Sequence, residues 1–279
     1  MYQLDDLLTL MARLRNPKTG CPWDLQQDFA SIVPHTLEEA YEVADAIERQ
    51  DWPHLEEELG DLLFQVIFYG QLGVEQQHFT VASIIDRLVT KLIRRHPHVF
   101  PAGTLESERD PSITPQAAEI NANWEAIKEA ENAAKPTPHQ SRLLDSVPAT
   151  MPGLTRAVKL QKKASTVGFD WNNPHAVVDK IREELDEVLV EMDANDHQRL
   201  ESEIGDLLFA VANLARHYHI DPEVAVRGTN QRFSQRFAVV EDRAQAAGGW
   251  QQVSLSEMEI SWQIAKQVEK QQQEKGRQN

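Results

Sequence analysis

Eight carboxylates in this chain recur at a fixed spacing. Glu39 and Glu42 are three residues apart, fifteen residues intervene, and Glu58 and Asp61 are again three apart. Glu184, Glu187, Glu203 and Asp206 repeat the pattern with the same gap. On a helix, positions i and i+3 lie about 60° apart, so each pair makes a small anionic facet. If the two helices carrying the pairs pack side by side, four carboxylates converge in each copy. Two carboxylates ~4 Å apart repel by about 4 kcal/mol at an effective dielectric near 20, so convergence calls for a cation or for protonation. An all-oxygen donor set suits a hard ion, Mg²⁺ or Mn²⁺ in preference to zinc. One Glu-Glu-x-x-Glu block on a surface is ordinarily a solvated face. The partner block, the flanking apolar residues and the duplication argue against that here, while Glu56, Glu57 and Glu201 are assigned to solvent.

Other chemistries find less support. A ferritin-like di-iron bundle wants Glu-x-x-His on two helices. The only such spacing is Glu75 to His78, without a counterpart in the second copy. Cys21 precedes Pro22 and reads as structural, as does His96-Pro97-His98. No Gly-x-Ser-x-Gly, Walker A or Gly-x-Gly-x-x-Gly motif is present. Cations are scarce and therefore informative. Lys91, Arg94 and Arg95 follow a helical pattern, and Arg232 and Arg236 are one turn apart. Lys128 follows Trp124 by four residues and Lys266 follows Trp262 by four, which shares a helix face. Such a face could stack a base and hold a phosphate; a core Trp beside a snorkelling Lys is the structural alternative.

The elements that must carry these groups are legible as a duplication. Leu55 to Phe64 matches Leu200 to Phe209, and Glu38 to Glu42 matches Glu183 to Glu187, both at an offset of 145 residues. Two blocks with one offset indicate a repeated unit. With a four-residue gap, Lys91 and Arg95 align with Arg232 and Arg236. From Leu55 the apolar positions are Leu55, Leu59, Leu62, Leu63, Val66 and Ile67, a stripe expected to face a core. Leu200, Ile204, Leu207, Leu208, Val211 and Ala212 repeat it. Asp221-Pro222-Glu223 reads as an N-cap with proline in the first turn. Strand signals are weak. The expected fold is all-α, with four or five helices in each of two domains at 1–130 and 149–270. A Pro- and Ala-containing linker is expected at 131–148 and a polar tail at 271–279.

Composition limits the partners. Of 279 residues, 28 are Lys or Arg and 44 are Asp or Glu, a formal charge of −16. So acidic a chain is a poor generic binder of nucleic acid or anionic membrane. A single cysteine excludes a disulfide framework and a Cys-rich zinc site. The first residues lack the basic and apolar regions of a signal peptide. The longest apolar run, Leu62 to Val74, spans 13 residues and contains Gln65 and Gln71. It is too short to span a membrane, so a cytoplasmic location is expected.

Glu-Glu-x-x-Glu, fifteen residues, then Glu-x-x-Asp resembles the signature of the all-α nucleoside triphosphate pyrophosphohydrolases. From about residue 4 to 268 the chain is similar to the two-domain MazG family. Gly20-Cys21-Pro22-Trp23-Asp24, Arg94 to Phe100 and Val167-Gly168-Phe169-Asp170-Trp171 strengthen the resemblance. Ser202 departs from it, standing where similar proteins often carry Glu, outside the Glu203-x-x-Asp206 core. The resemblance implies a tandem repeat of two helical-bundle MazG-like domains. It also implies a homodimer and Mg²⁺-dependent hydrolysis of NTPs and dNTPs to monophosphate and pyrophosphate. Glu39, Glu42, Glu58 and Asp61 would hold metal in the first copy, and Glu184, Glu187, Glu203 and Asp206 in the second. Arg199, Arg232, Arg236, Trp262 and Lys266 match positions associated with the nucleotide.

Water would attack the α-phosphorus, with Glu183 or Glu187 accepting its proton. No pocket for a base edge is legible, and broad base specificity is expected. The second copy is expected to dominate. Pro97 cuts the first copy's cationic helix two residues after Arg95, and the polar stretch Gly103 to Pro115 follows, whereas the second runs on to Arg243. The alternative is a non-catalytic helical module whose acidic face binds a basic partner.

Overall fold

A computed structural model describes the chain except for residues 113, 115, 117–119, 121–122, 125, 128–129, 132–141, 172 and 277–279. Among the described residues, all regular structure is helical. The chain divides into two units, Met1–Pro136 and Thr137–Asn279. The first holds α1 (Leu4–Leu14), α2 (Pro22–Gln26), α3 (Val33–Arg49), α4 (Trp52–Glu75) and α5 (Val81–Arg95). Trp124, Ile127, Ala130 and Glu131 are also helical. The second holds α6 (Gly153–Ser165), α7 (Pro174–Ala194), α8 (His197–His217), α9 (Pro222–Ala246) and α10 (Leu255–Gly276). Most of the stretch expected to be a linker lies outside the described residues. Within it, Leu143–Ser146 forms a 3-10 turn packed on α6.

The acid-bearing helices form an antiparallel hairpin in each unit, α3 with α4 and α7 with α8, and these are the most extensive helix pairs. The same turn builds both. Helix α3 ends at Gln50 with φ 56°, and α7 ends at Asn195 with φ 55°, each in the left-handed region. The next residue caps the following helix: Asp51 accepts from the His54 amide, and Asp196 accepts from the Gln198 and Arg199 amides. A left-handed C-cap followed at once by an Asp N-cap reverses the chain in two residues. Asp221 caps α9 with Pro222 in its first turn, as its sequence predicts.

The first unit packs Met11, Ile32, Ile67, Phe68, Leu72 and Val81 into a core, with Leu7, Leu8, Phe29, Phe64 and Tyr69 against it. In the second unit the buried apolar residues are small, among them Ala157, Val177, Val188, Ala210, Ala212, Val240 and Ala244. The stripes on α4 and α8 are only partly covered, contrary to expectation. Ile67 and Ala212 are only 1% and 0% exposed, but Leu59 is 49% exposed and Leu208 50%. A helical stripe records that a face is apolar, and the monomer's own helices cover only one edge of it.

Candidate metal centre

In the first unit, α3 presents Glu39 and Glu42 toward Glu58 and Asp61 on α4. Glu39, Glu58 and Asp61 each offer an oxygen within 4.8 Å of the others. Glu58 is buried, Glu39 half-buried and Asp61 exposed. Burial raises the Glu39 carboxyl above its ordinary value, with Asp61, Glu42 and Glu58 adding to the rise. Burial also raises Glu58, followed by the charge of Glu42. Glu42 stands beside Glu58, and its carboxyl adds to that rise. His54 Nε2 lies 3.1 Å from Glu58, and the Gln65 amide donates to Glu39 at 3.4 Å.

In the second unit Glu184, Glu187 and Glu203 form the corresponding group within 4.8 Å. Burial raises Glu187, and its hydrogen bond with Glu184 reinforces that rise. Asp206, the fourth expected ligand, shares a cavity wall with Glu184. Glu183 lies outside the three-member group: its side chain is 58% exposed and bonds Lys180 Nζ at 2.8 Å. Lys180 also reaches Glu184 at 2.8 Å, placing a cation against the buried edge of the cluster. His35, its counterpart 145 residues earlier, makes only a 3.7 Å approach to Glu38.

The donor sets fit a hard divalent cation. They consist of carboxylates drawn from two helices, four of the six withdrawn from solvent, and burial, followed by repulsion from neighbouring carboxylates, raises Glu39 and Glu58. Glu56 and Glu201 are exposed, as expected for solvated charges. Glu75 is held by Arg15 in a 2.7 Å ion pair, so it is not offered to a di-iron site with His78.

The cationic and aromatic residues make a second grouping in the second unit. Arg236 bonds Glu269 at 2.8 Å and lies over the Trp262 ring at 5.8 Å. Phe233 packs on Trp262 at 5.0 Å. Arg232 bonds the Thr229 hydroxyl at 2.8 Å, and Lys266 is exposed. Arg199 is exposed on the first turn of α8 and approaches Glu191 at 3.5 Å. In the first unit, Arg94 and Arg95 both pair with Glu131, and Lys128 lies outside the described residues. Sequence reasoning missed Lys180, His54, Gln65, Glu131 and Glu269. Register would have found the last two: each follows a repeated Trp by seven residues.

Comparison with known proteins places the chain among related sequences. The sequence profile of the MazG nucleotide pyrophosphohydrolase domain matches twice, at residues 27–100 and 172–240. The chain is 47% identical over 273 residues to an Escherichia coli protein named nucleoside triphosphate pyrophosphohydrolase, covering 96% of this chain and 99% of that one. It is 36% identical over 263 residues to the Thermotoga maritima nucleoside triphosphate pyrophosphohydrolase/pyrophosphatase MazG, covering 94% and 95%. It is 39% identical over 271 residues to the uncharacterized Bacillus subtilis protein YabN, covering 96% of this chain and 53% of that one.

Proposed function

This chain belongs to the MazG family of nucleoside triphosphate pyrophosphohydrolases, and we propose that it hydrolyses NTPs and dNTPs to the monophosphate and pyrophosphate by attack of water at the α-phosphorus. The observation that carries this reading is the pair of carboxylate groups, each gathering three oxygens within 4.8 Å from two antiparallel helices. Glu39, Glu42, Glu58 and Asp61 hold Mg²⁺, or Mn²⁺ in its place, in one unit, and Glu184, Glu187, Glu203 and Asp206 in the other. The ion, when bound, neutralises phosphate charge and acidifies water.

The remaining work falls to side chains. Glu187 is favoured over Glu183 as proton acceptor because it sits inside the cluster. Glu183 is already engaged by Lys180. Arg199, Arg232, Arg236 and Lys266 supply positive charge for the phosphates, with Lys128 in the first unit, and Trp262 offers a face to the base. Broad base specificity follows from a site whose polar groups address phosphate.

A homodimer is supported by the exposed apolar faces of the acid-bearing hairpins, where Leu189 is 51% and Ile204 43% exposed. Among the described residues no helix is long and apolar enough to cross a membrane. A nucleotide substrate favours a cytoplasmic setting.

The test is incubation with ATP and Mg²⁺ followed by chromatography of the products. AMP and pyrophosphate are expected. ADP with orthophosphate would overturn the reading, and no turnover at all would favour a non-catalytic acidic module.

A further inference from the structure

A small cavity opens beside the second cluster, between α6, α7 and α8. Its volume is about 70 Å³, and Gln161, Trp171, Lys180, Glu184, Asp206 and Asn213 help to line it. Two of these walls are expected metal ligands. The opposite side is made of amides. Asn213 is 2% exposed, and its carbonyl oxygen accepts from Arg216 Nε at 2.9 Å. Gln161 Nε2 donates to the Phe209 carbonyl at 2.9 Å. Gln161 Oε1 is buried and has no hydrogen-bond partner. The amide cannot be turned over to relieve this, because two carbonyl oxygens would then face each other. A buried acceptor left open next to a reaction centre asks for a donor from a ligand.

We propose that Gln161 reads a sugar hydroxyl of the nucleotide, in a pocket that belongs to the second unit. This rests on the nucleotide reading above. Two observations select the sugar. The cavity shares Glu184 and Asp206 with the expected metal ligands, and in any nucleoside triphosphate the sugar is the part bonded next to the α-phosphate. Gln161 presents an acceptor, and the sugar's hydroxyls are donors. Trp171 supplies an apolar wall for the C–H face of the ring. In the first unit the position of Ala210 is taken by Gln65, 145 residues earlier, whose side chain is buried and turned to Glu39. A bulkier side chain therefore stands where the second unit has its opening.

The test compares pyrophosphate release from ATP, 2′-deoxyATP and 3′-deoxyATP by the full chain and by Gln161→Met and Gln161→Ala. For the wild type, kcat/KM for at least one deoxy analogue is expected about tenfold below that for ATP. In both variants the three substrates are expected to fall within about twofold of one another, through loss on the preferred one. Ratios within one variant do not depend on the fraction folded, so partial destabilisation leaves the comparison intact. Equal use of the three nucleotides by the wild type overturns the proposal, as does an unchanged spread in the variants. No pyrophosphate from any substrate with wild type would overturn the reading beneath it as well.

Discussion

Arg236 on α9 donates from Nε to the Glu269 carboxylate on α10 at 2.8 Å. Arg95 makes the corresponding bond to Glu131 in the first unit, and Arg94 joins it at 2.6 Å. The pairing recurs with the repeat, like the carboxylates. It is not identical in the two copies, because the first engages both of its consecutive arginines with one acid. In the second, Arg232 bonds the neutral Thr229 hydroxyl at 2.8 Å.

That difference adds a physical reason to expect the second unit to carry most of the activity. Glu203→Gln with Asp206→Asn should lower ATP hydrolysis at least a hundredfold, and Glu58→Gln with Asp61→Asn only a few fold. The opposite order, with both variants folded by circular dichroism, would refute the assignment.

Glu131 gives a pH signature. Its hydrogen bond from Arg95, and then that from Arg94, hold its carboxyl down at about 2 against an ordinary 4.5. A lowered folded value means stabilisation that is complete above about 4.5, fades as the pH falls and is gone below about 2. Glu131→Gln should lower the melting temperature at pH 6, and the gap from wild type should close between pH 4.5 and 2. A gap constant over that range would count against the pairing.

Chelation should destabilise the protein. Without a cation the clustered carboxylates repel, and a ligand held only by the folded state at 100 times its Kd adds about 2.7 kcal/mol. Melts in excess Mg²⁺ should therefore lie several degrees above melts in EDTA, and hydrolysis should stop in EDTA. Coincident melts together with surviving activity would remove the metal from the mechanism.

The hairpin turns make opposite predictions for two substitutions. Asp196→Ala removes the acceptor for two amides and should cost about 1 kcal/mol. Gln50→Gly relieves a left-handed non-glycine residue and should stabilise the first unit by roughly 0.5–1 kcal/mol. Urea melts of each variant measure both, and a change of the same sign in the two would contradict the turn geometry.

The all-α duplication and the convergence of the acids were legible because both depend on local periodicity and one repeated offset. What covers each apolar stripe was not legible. Leu59 and Ile67 belong to the same pattern, yet one is half exposed and the other buried, because the distinction depends on which helices pack alongside. Choosing between Glu183 and Glu187 needed Lys180, whose role appears only once α7 is built and its i, i+3 and i, i+4 neighbours face it. Gln161 carried no signal in the sequence. Its meaning arises from a carbonyl on another helix.

The two-residue reversal also sets tolerances for length change. A residue added inside α3 or α4, between the acid pairs and the turn, would rotate one pair by about 100° relative to the other and carry it off the shared face. Neither helix has a break that could absorb the slip before the cap, since Gln50 and Asp51 are both conformationally committed. The fifteen-residue interval thus behaves as a phase relation between two helical screws. Insertions should be accepted only as loop between Gln50 and Asp51, or between Asn195 and Asp196, where added chain changes no helical phase.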